Sequence, residues 1–432
     1  MRVAIIGGGI TGLCCSAYLA DNNISSVVFE SDKKAGGLAR GFNSGKWKWN
    51  LEVFYHHIFT NDKDIFSLAK KVNAKILIKN PITSSFLNSK EVRLDSPLSL
   101  LRFSQLSLWS RLRMGVGLFV LKIIPNGLFL ERYKAVEALP RLIGREGYEL
   151  IWEKLLSAKF GPYVDVVNLA WFWSRVAKRT KNLGYFEGGF DEFVEKLETF
   201  IEKNGGEIRL NTVVKKIKTV DPSIREDDKL LDNKSSNKKI VVNGEEFDAV
   251  VVTTPAPIAE KLIKGLKFPK LNYLWGQTLI LEISRKVLSG YWLNILENNF
   301  PFLVAVEHTN MIDKKMYGNN RLLYLGNYLP DDNAQLNMTK VELLKLYLPF
   351  IKKINNNFDK KLIKNSYLFR KPFAQPVFPV NYSKHIPSQK ITDNVYLANM
   401  SMVYPFDRGT NYAVKMGREV AEIIAKSFKN HV

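Results

Sequence analysis

The sequence predicts an α/β fold in which the first and last residues share one parallel sheet and α+β structure is inserted between them. Three observations predict it. Residues 2–6 are apolar and β-branched, and they run straight into Gly7-Gly8-Gly9-Ile10-Thr11-Gly12 and a helix. A second such stretch, Ser26 to Phe29, ends in Glu30. Near the other end, Asn394 to Asn399 reads as a further strand, followed by a helix from Val414 to Phe428. The 432 residues exceed what one hydrophobic core usually serves, so two domains are expected.

The opening strand, glycine turn, helix, strand and terminal acid follow the order of a dinucleotide site. Gly7 permits the turn, Gly9 lets a pyrophosphate approach the backbone, and Gly12 lets the helix pack close to the strand. The amides at the helix start, around Ile10 and Thr11, lack intrahelical partners and face the phosphates. Glu30 lies 18 residues beyond Gly12, where a carboxylate accepts hydrogen bonds from a ribose diol.

The run Glu30-Ser31-Asp32-Lys33-Lys34-Ala35-Gly36-Gly37-Leu38-Ala39-Arg40 resembles the E-x-x-x-x-x-G-G-x-x-x segment of the flavin amine oxidase and protoporphyrinogen oxidase superfamily. The resemblance implies FAD as cofactor, with Ser31, Gly37, Leu38 and Arg40 along it. It also implies that Val214 brings backbone groups to the adenine, and that Thr253-Thr254-Pro255 closes over the cofactor. Tyr404-Pro405-Phe406-Asp407-Arg408-Gly409-Thr410-Asn411-Tyr412-Ala413 resembles the superfamily's closing motif, which aims a helix N-terminus at the flavin. Asn399, Asp407, Asn411 and Tyr412 are the cofactor candidates there. Physics agrees, because free amides and a partial positive charge suit the negative charge of reduced flavin. No cysteine lies between Ala398 and Asn411, so a covalent thioether is excluded and FAD is expected to bind non-covalently. The fold is then a discontinuous, Rossmann-like FAD-binding domain (1–75, 185–267 and 388–432) with an α+β substrate domain inserted (76–184 and 268–387).

Composition is that of a globular protein, 46% hydrophobic and 24% charged. The two cysteines, Cys14 and Cys15, adjoin in the first helix and read as packing residues, which fits a reducing compartment. The fold begins at residue 2 and no uncharged apolar run approaches the roughly 20 residues of a spanning helix, so a cytoplasmic protein is expected. A net charge of +21 has two readings. It is a solubility bias, or it attracts an anionic membrane surface or a phosphorylated substrate. No recognition motif supports nucleic acid.

Between the anchors, His56-His57 stands in a stretch resembling the loop that passes the isoalloxazine face in the superfamily. His57-Ile58-Phe59-Thr60 is also similar to the H-I-F-H-T segment of UDP-galactopyranose mutases. Residues 64–74 read as a helix and 76–91 as short strands with a turn at Asn88-Ser89. The stretch 96–130 is helix-like and broken at Pro125-Asn126-Gly127; it is either a core-facing helix pair or an interfacial apolar platform with basic flanks. Residues 151–161 resemble a W-x-P-L-L-x-x-K-F-G stretch of protoporphyrinogen-oxidase-like proteins, with Lys154 in place of proline. Trp171-Phe172-Trp173 and Arg175 either stack on a flat substrate or belong to the core. A helix over 191–204, strands flanking 211 and a long polar loop from Asp221 to Lys239 follow, the acids of that loop needing no metal. Strands at 247–252, 279–283, 302–307 and 321–327 and a helix over 340–357 complete the pattern. Residues 370–376 are a connector, or they place Lys371 or Gln375 near the flavin.

The function expected from the resemblance is an FAD-dependent oxidoreductase of the protoporphyrinogen oxidase or amine oxidase type. A hydride would pass from a large apolar or flat substrate to flavin N5, with His57 and Tyr412 near the ring and Arg408 near substrate or flavin. The alternative is a non-redox flavoenzyme acting on a nucleotide sugar, Arg408 or Arg175 holding the diphosphate. The partner is a small molecule, lipidic or phosphorylated, and the protein is cytoplasmic or peripheral at the inner face of a membrane.

Overall fold

Runs of Val, Ile and Ala without alternation form strands only where both faces are covered, and the first strand, Arg2–Ile6, is such a run. The computed structural model describes residues 1–220, 239–406 and 408–429. Arg2–Ile6 is the middle strand of a five-stranded parallel sheet in the order Glu207–Arg209, Ser25–Phe29, Arg2–Ile6, Ala249–Val252, Val395–Leu397. The order reverses beside Arg2–Ile6, and ligands of open α/β sheets bind outside the carboxyl ends at such a reversal. This is the Rossmann-like arrangement that the sequence predicts.

Helices Ile10–Ala20, Phe190–Lys203 and Thr410–Lys429 cover one face of this sheet. The first and last cross closely: a Cβ on Gly417 would lie 2.4 Å from the Thr11 carbonyl oxygen, so glycine is required there. Cys14 donates to the Val414 carbonyl at 3.1 Å across the same contact, a packing role. On the other face, Ile240, Val242 and Phe247 of a three-stranded antiparallel sheet pack on Ala4, Ile6, Val27 and Phe29. The polar loop expected between Asp221 and Lys239 lies outside the described residues, apart from Lys239.

The second large sheet has seven strands in the order Ile363–Val377, Asn272–Ile283, Arg321–Leu329, Val304–Glu307, Trp292–Ile295, Thr83–Leu87, Lys90–Arg93. Its pairs are antiparallel except Trp292–Ile295 with Thr83–Leu87. The expected turn at Asn88-Ser89 is present, both residues having positive φ. Helix Lys340–Ile354 buries Leu343, Tyr347 and Ile351 against the sheet. Residues 370–376 are not a loose connector but part of the edge strand Ile363–Val377, where Pro372 and Pro376 are tolerated beside a bulge at Leu274/Gly276. A separate helical cluster spans residues 97–178. Trp171, Phe172 and Trp173 are fully buried in it, with Trp173 Nε1 donating to the Ile124 carbonyl at 3.2 Å. They are core, the second of the two readings open from the sequence.

Glu52 is buried where the two sheets meet. Its carboxyl accepts from the Tyr185 hydroxyl at 2.9 Å and the Phe190 amide at 2.7 Å, and its carbonyl accepts from the Tyr324 hydroxyl at 2.6 Å. Burial pushes this carboxyl from 4.5 up to about 7, against the pull of the Phe190 and Tyr185 hydrogen bonds. The folded chain therefore keeps a proton that the unfolded chain releases above pH 4.5, and stability falls as pH rises from there to about 7. Glu52→Gln has no proton to lose. Its Tm relative to the wild type should rise with pH across that window in thermal melts; parallel pH profiles would contradict the burial argument.

Candidate active site

The Gly7–Gly12 turn lies at the carboxyl edge of the parallel sheet. A Cβ on Gly12 would sit 2.0 Å from the Gly7 carbonyl oxygen, so only glycine lets the helix start so near the strand end. At Gly9 the added Cβ would meet nothing within 4 Å, which leaves an open face over the turn. Helix Ile10–Ala20 has no side-chain cap at its N-terminus, so its first amides are available to an anion. The Gly36 amide donates to the Gly8 carbonyl at 2.8 Å and Gly9 bridges to Gly36, bringing Gly37 and Leu38 beside the turn.

Glu30 is buried and accepts from the Gly8 amide at 2.8 Å, the Asp32 amide at 2.8 Å and the Ser31 hydroxyl at 3.2 Å. Ser31 thus holds the acid in place. Carboxylate oxygens have further lone pairs, which leaves Glu30 able to accept from a ribose. The Glu30 amide donates to the Arg209 carbonyl at 2.9 Å and its carbonyl accepts from Thr212 at 2.8 Å, so the chain leading to Val214 runs alongside. Arg40 pairs with Asp32 at 2.8 Å, and Lys371 reaches the same oxygen at 2.7 Å. Burial resists ionisation of Asp32, but Lys371 and Arg40 outweigh it and hold the carboxyl below its usual range. The edge strand of the second sheet is thereby tied to the nucleotide-binding end, a link that residues 339 positions apart do not announce.

Two strands over, Val252 pairs with Leu397, and Thr254 and Asn399 each follow two residues beyond these paired ends. Thr253 Oγ1 donates back to the Ile6 and Gly7 carbonyls at 3.1 and 2.9 Å and closes this edge against the glycine turn. Thr254 Oγ1 and Asn399 Nδ2 are buried without a hydrogen-bond partner, as is His57 Nδ1. Trp152 Nε1 and the Tyr404 hydroxyl share this state elsewhere among the described residues, so it is the position of Thr254 and Asn399 beyond the ends of the parallel strands that makes them candidates to meet a ligand's polar atoms. Thr254 was within the threonine pair read from the sequence, but nothing local distinguished it from Thr253.

The closing motif is arranged around aromatic rings. Tyr412 stacks on Phe406 at 4.7 Å and 8°. Arg408 donates to Gln375 Oε1 at 3.1 Å and to the Tyr328 hydroxyl, with its guanidinium 4.7 Å from the Tyr328 ring centre. Burial, and to a smaller degree Arg175, lower its pKa to about 10 while Tyr55 raises it, so Arg408 is a cation at neutral pH. Tyr328 gave no signal in the sequence. Asn411 differs from expectation: its side-chain oxygen accepts from the Ile65 amide at 3.0 Å and ties two helices together. Its Nδ2 donors are not used by that bond, and the start of Thr410–Lys429 carries no acid in its first turn. Asp407 lies outside the described residues.

His56 Nδ1 donates to the Phe54 carbonyl at 2.6 Å. His57 meets the edges of Phe59 and Trp292 at 5.3 and 5.8 Å and lines a cavity of about 40 Å³ with Arg179 and Tyr291. Burial, then Arg179, His56 and Arg175, lower the His57 pKa to about 3, so its ring is neutral. Tyr55 packs edge-on against Trp292 at 5.0 Å, the same ring that His57 meets.

An uncapped helix start over an open glycine turn, an acid with acceptor capacity, and orphaned polar atoms at the same sheet edge fit FAD. The flavin-containing amine oxidoreductase family matches residues 10–425. A 15-cis-phytoene desaturase of Glycine max is 23% identical over 399 residues, covering 80% of this chain and 66% of that protein. The chain spans just under two thirds of the length of the curated relatives it first matches. Among solved structures, a protoporphyrinogen oxidase-like protein of Exiguobacterium sp. 255-15 has 16% identity and TM-score 0.75, over 98% of both chains. Reduced UDP-galactopyranose mutase has 14% identity and TM-score 0.73, over 98% of this chain and 95% of that one. These two likenesses establish the fold. With nearly its whole length matched, the chain belongs to the flavin-containing amine oxidoreductase family.

Proposed function

We propose that this protein is an FAD-dependent oxidoreductase in which a hydride passes from a carbon of a large apolar or flat substrate to flavin N5. Bound FAD supplies the two-electron acceptor; the protein supplies position and electrostatics. The observation that carries the reading is the carboxyl edge of the parallel sheet, where the glycine turn opens an uncapped helix, Glu30 keeps acceptor capacity, and Thr254 Oγ1 and Asn399 Nδ2 are buried without partners. The glycine turn and Glu30 hold the nucleotide. The amides opening Thr410–Lys429 favour negative charge near the ring. Neutral His57 offers a polar atom without competing for a proton, beside the aromatic surfaces of Phe59 and Trp292. The likeness to a desaturase of phytoene supports a long apolar substrate.

The test is the anaerobic absorbance of the oxidised protein mixed with a polyene and porphyrinogen extract, and separately with nucleotide sugars. Bleaching by the first is expected. A spectrum unmoved by it, yet perturbed by a nucleotide sugar after dithionite reduction, would overturn the reading in favour of a non-redox reaction, which Arg175 and Arg179 near His57 would suit.

Two variants sharpen the residue roles. Glu30→Ala should raise the Kd for FAD by about tenfold, since a hydrogen bond to a charged acceptor is worth ~1.5 kcal/mol; full flavin occupancy after gel filtration would remove Glu30 from the site. His57→Ala should slow anaerobic bleaching by roughly tenfold to a hundredfold with FAD content intact, the range set by losing a positioned group. An unchanged rate would return His57 to a packing role.

A further inference from the structure

We propose that helix Leu108–Ile123 docks this protein on an anionic lipid surface, an interaction independent of the flavin chemistry. The helix is apolar on both sides. Met114, Gly117 and Leu121 are buried against the neighbouring helices, Gly117 so closely that a Cβ would fall 2.6 Å from the Leu142 carbonyl oxygen. The opposite side is not covered. Trp109 is 74% exposed, Val116 63%, Phe119 62% and Ile123 59%, with Leu108, Leu112 and Val120 also exposed. At about 100° per residue, these seven side chains fall within an arc of about 120° centred opposite Met114 and Leu121.

This is a concentration rather than scatter. Of the 17 exposed large hydrophobic side chains among the described residues, 11 lie between Leu98 and Tyr133. Isolated exposed apolar residues are ordinary, but a contiguous face of this kind marks an interaction site. The short helix Pro97–Leu101 extends it with Leu98 and Leu101, and Arg111 fastens that segment by donating to the Leu101 and Leu106 carbonyls at 2.7 and 2.9 Å.

Charge selects the occupant. Residues 96–136 contain six basic side chains, Arg102, Arg111, Arg113, Lys122, Arg132 and Lys134, against one acid, Glu131, which is buried. On the helix wheel, Arg111 and Lys122 border one edge of the apolar arc and Arg113 the other. An apolar stripe with basic borders and an exposed tryptophan suits a helix lying in the headgroup region of a bilayer, its rings among acyl chains; Arg111, Arg113 and Lys122 donate to backbone carbonyls, which neutralise none of their charge, so the border stays positive toward anionic headgroups. A second copy of this chain is a poorer fit, because two basic borders would be brought together and each chain carries a net charge of +21.

The experiment is sedimentation of the flavin-loaded protein with phosphatidylcholine vesicles, with and without phosphatidylglycerol, at low and high salt. Binding is expected with phosphatidylglycerol, weaker without it, and reduced by salt through screening of the basic border. Val116→Asp combined with Phe119→Asp should lower the vesicle affinity by about tenfold or more, because charge on the inserted face costs what apolar burial contributed; FAD content and far-UV circular dichroism, unchanged, show that the variant is folded. Three outcomes would overturn the proposal: no binding to either vesicle, a folded double variant that binds like wild type, or a dimer in sedimentation velocity that the double variant dissociates.

Discussion

A helix that can begin at almost no distance from the strand feeding it is the constraint on which the rest of this molecule depends. At Gly12 a single methyl group would collide with the Gly7 carbonyl oxygen. With glycine there, the amides opening Ile10–Ala20 point past the end of Arg2–Ile6 instead of being buried against it. The same edge then receives Glu30 from one neighbouring strand and Thr253, Thr254 and Asn399 from the next two. Gly417 repeats the condition from the far end of the chain, since it allows Thr410–Lys429 to lie against Ile10–Ala20. Both ends of the polypeptide are therefore committed to one cradle, and the long stretches between them are free to build other structure.

That other structure is not merely attached. The buried carboxyl of Glu52, bonded to Tyr185 and approached by Tyr324, joins the glycine-turn side to the seven-stranded sheet. Asp32, two residues beyond Glu30, is held by Lys371 from the edge strand of that sheet. Arg408 reaches Gln375 and Tyr328 from the closing motif. Each contact crosses from one sheet system to the other, so the surroundings of Glu30 and Arg408 are set jointly by both.

What was legible in the sequence follows from how local its cause is. The glycine turn, Glu30 and the apolar strands depend on neighbours in the chain, and they were readable with their bounds nearly right. The turn at Asn88-Ser89 was readable because both residues tolerate positive φ. Long-range pairings were not: nothing near Asp32 points to Lys371, and nothing near Asn411 tells that its side chain serves Ile65. Trp171-Phe172-Trp173 stayed open between two readings for another reason, because an aromatic cluster has the same composition in a core as in a binding wall and only burial separates them. Helix Leu108–Ile123 shows the same limit in reverse. It is apolar on both faces, so the sequence permitted a core helix or a surface platform; the fold buries one face and leaves the other exposed.

The central claim is that the Gly7–Gly12 edge holds FAD non-covalently. The most direct test is the cofactor content of the purified, full-length protein, with the chain precipitated by acid and the supernatant resolved by chromatography. The account predicts FAD in the supernatant, equimolar with protein. Flavin remaining with the precipitated chain, or a folded protein that carries no flavin and takes up none from solution, would contradict it.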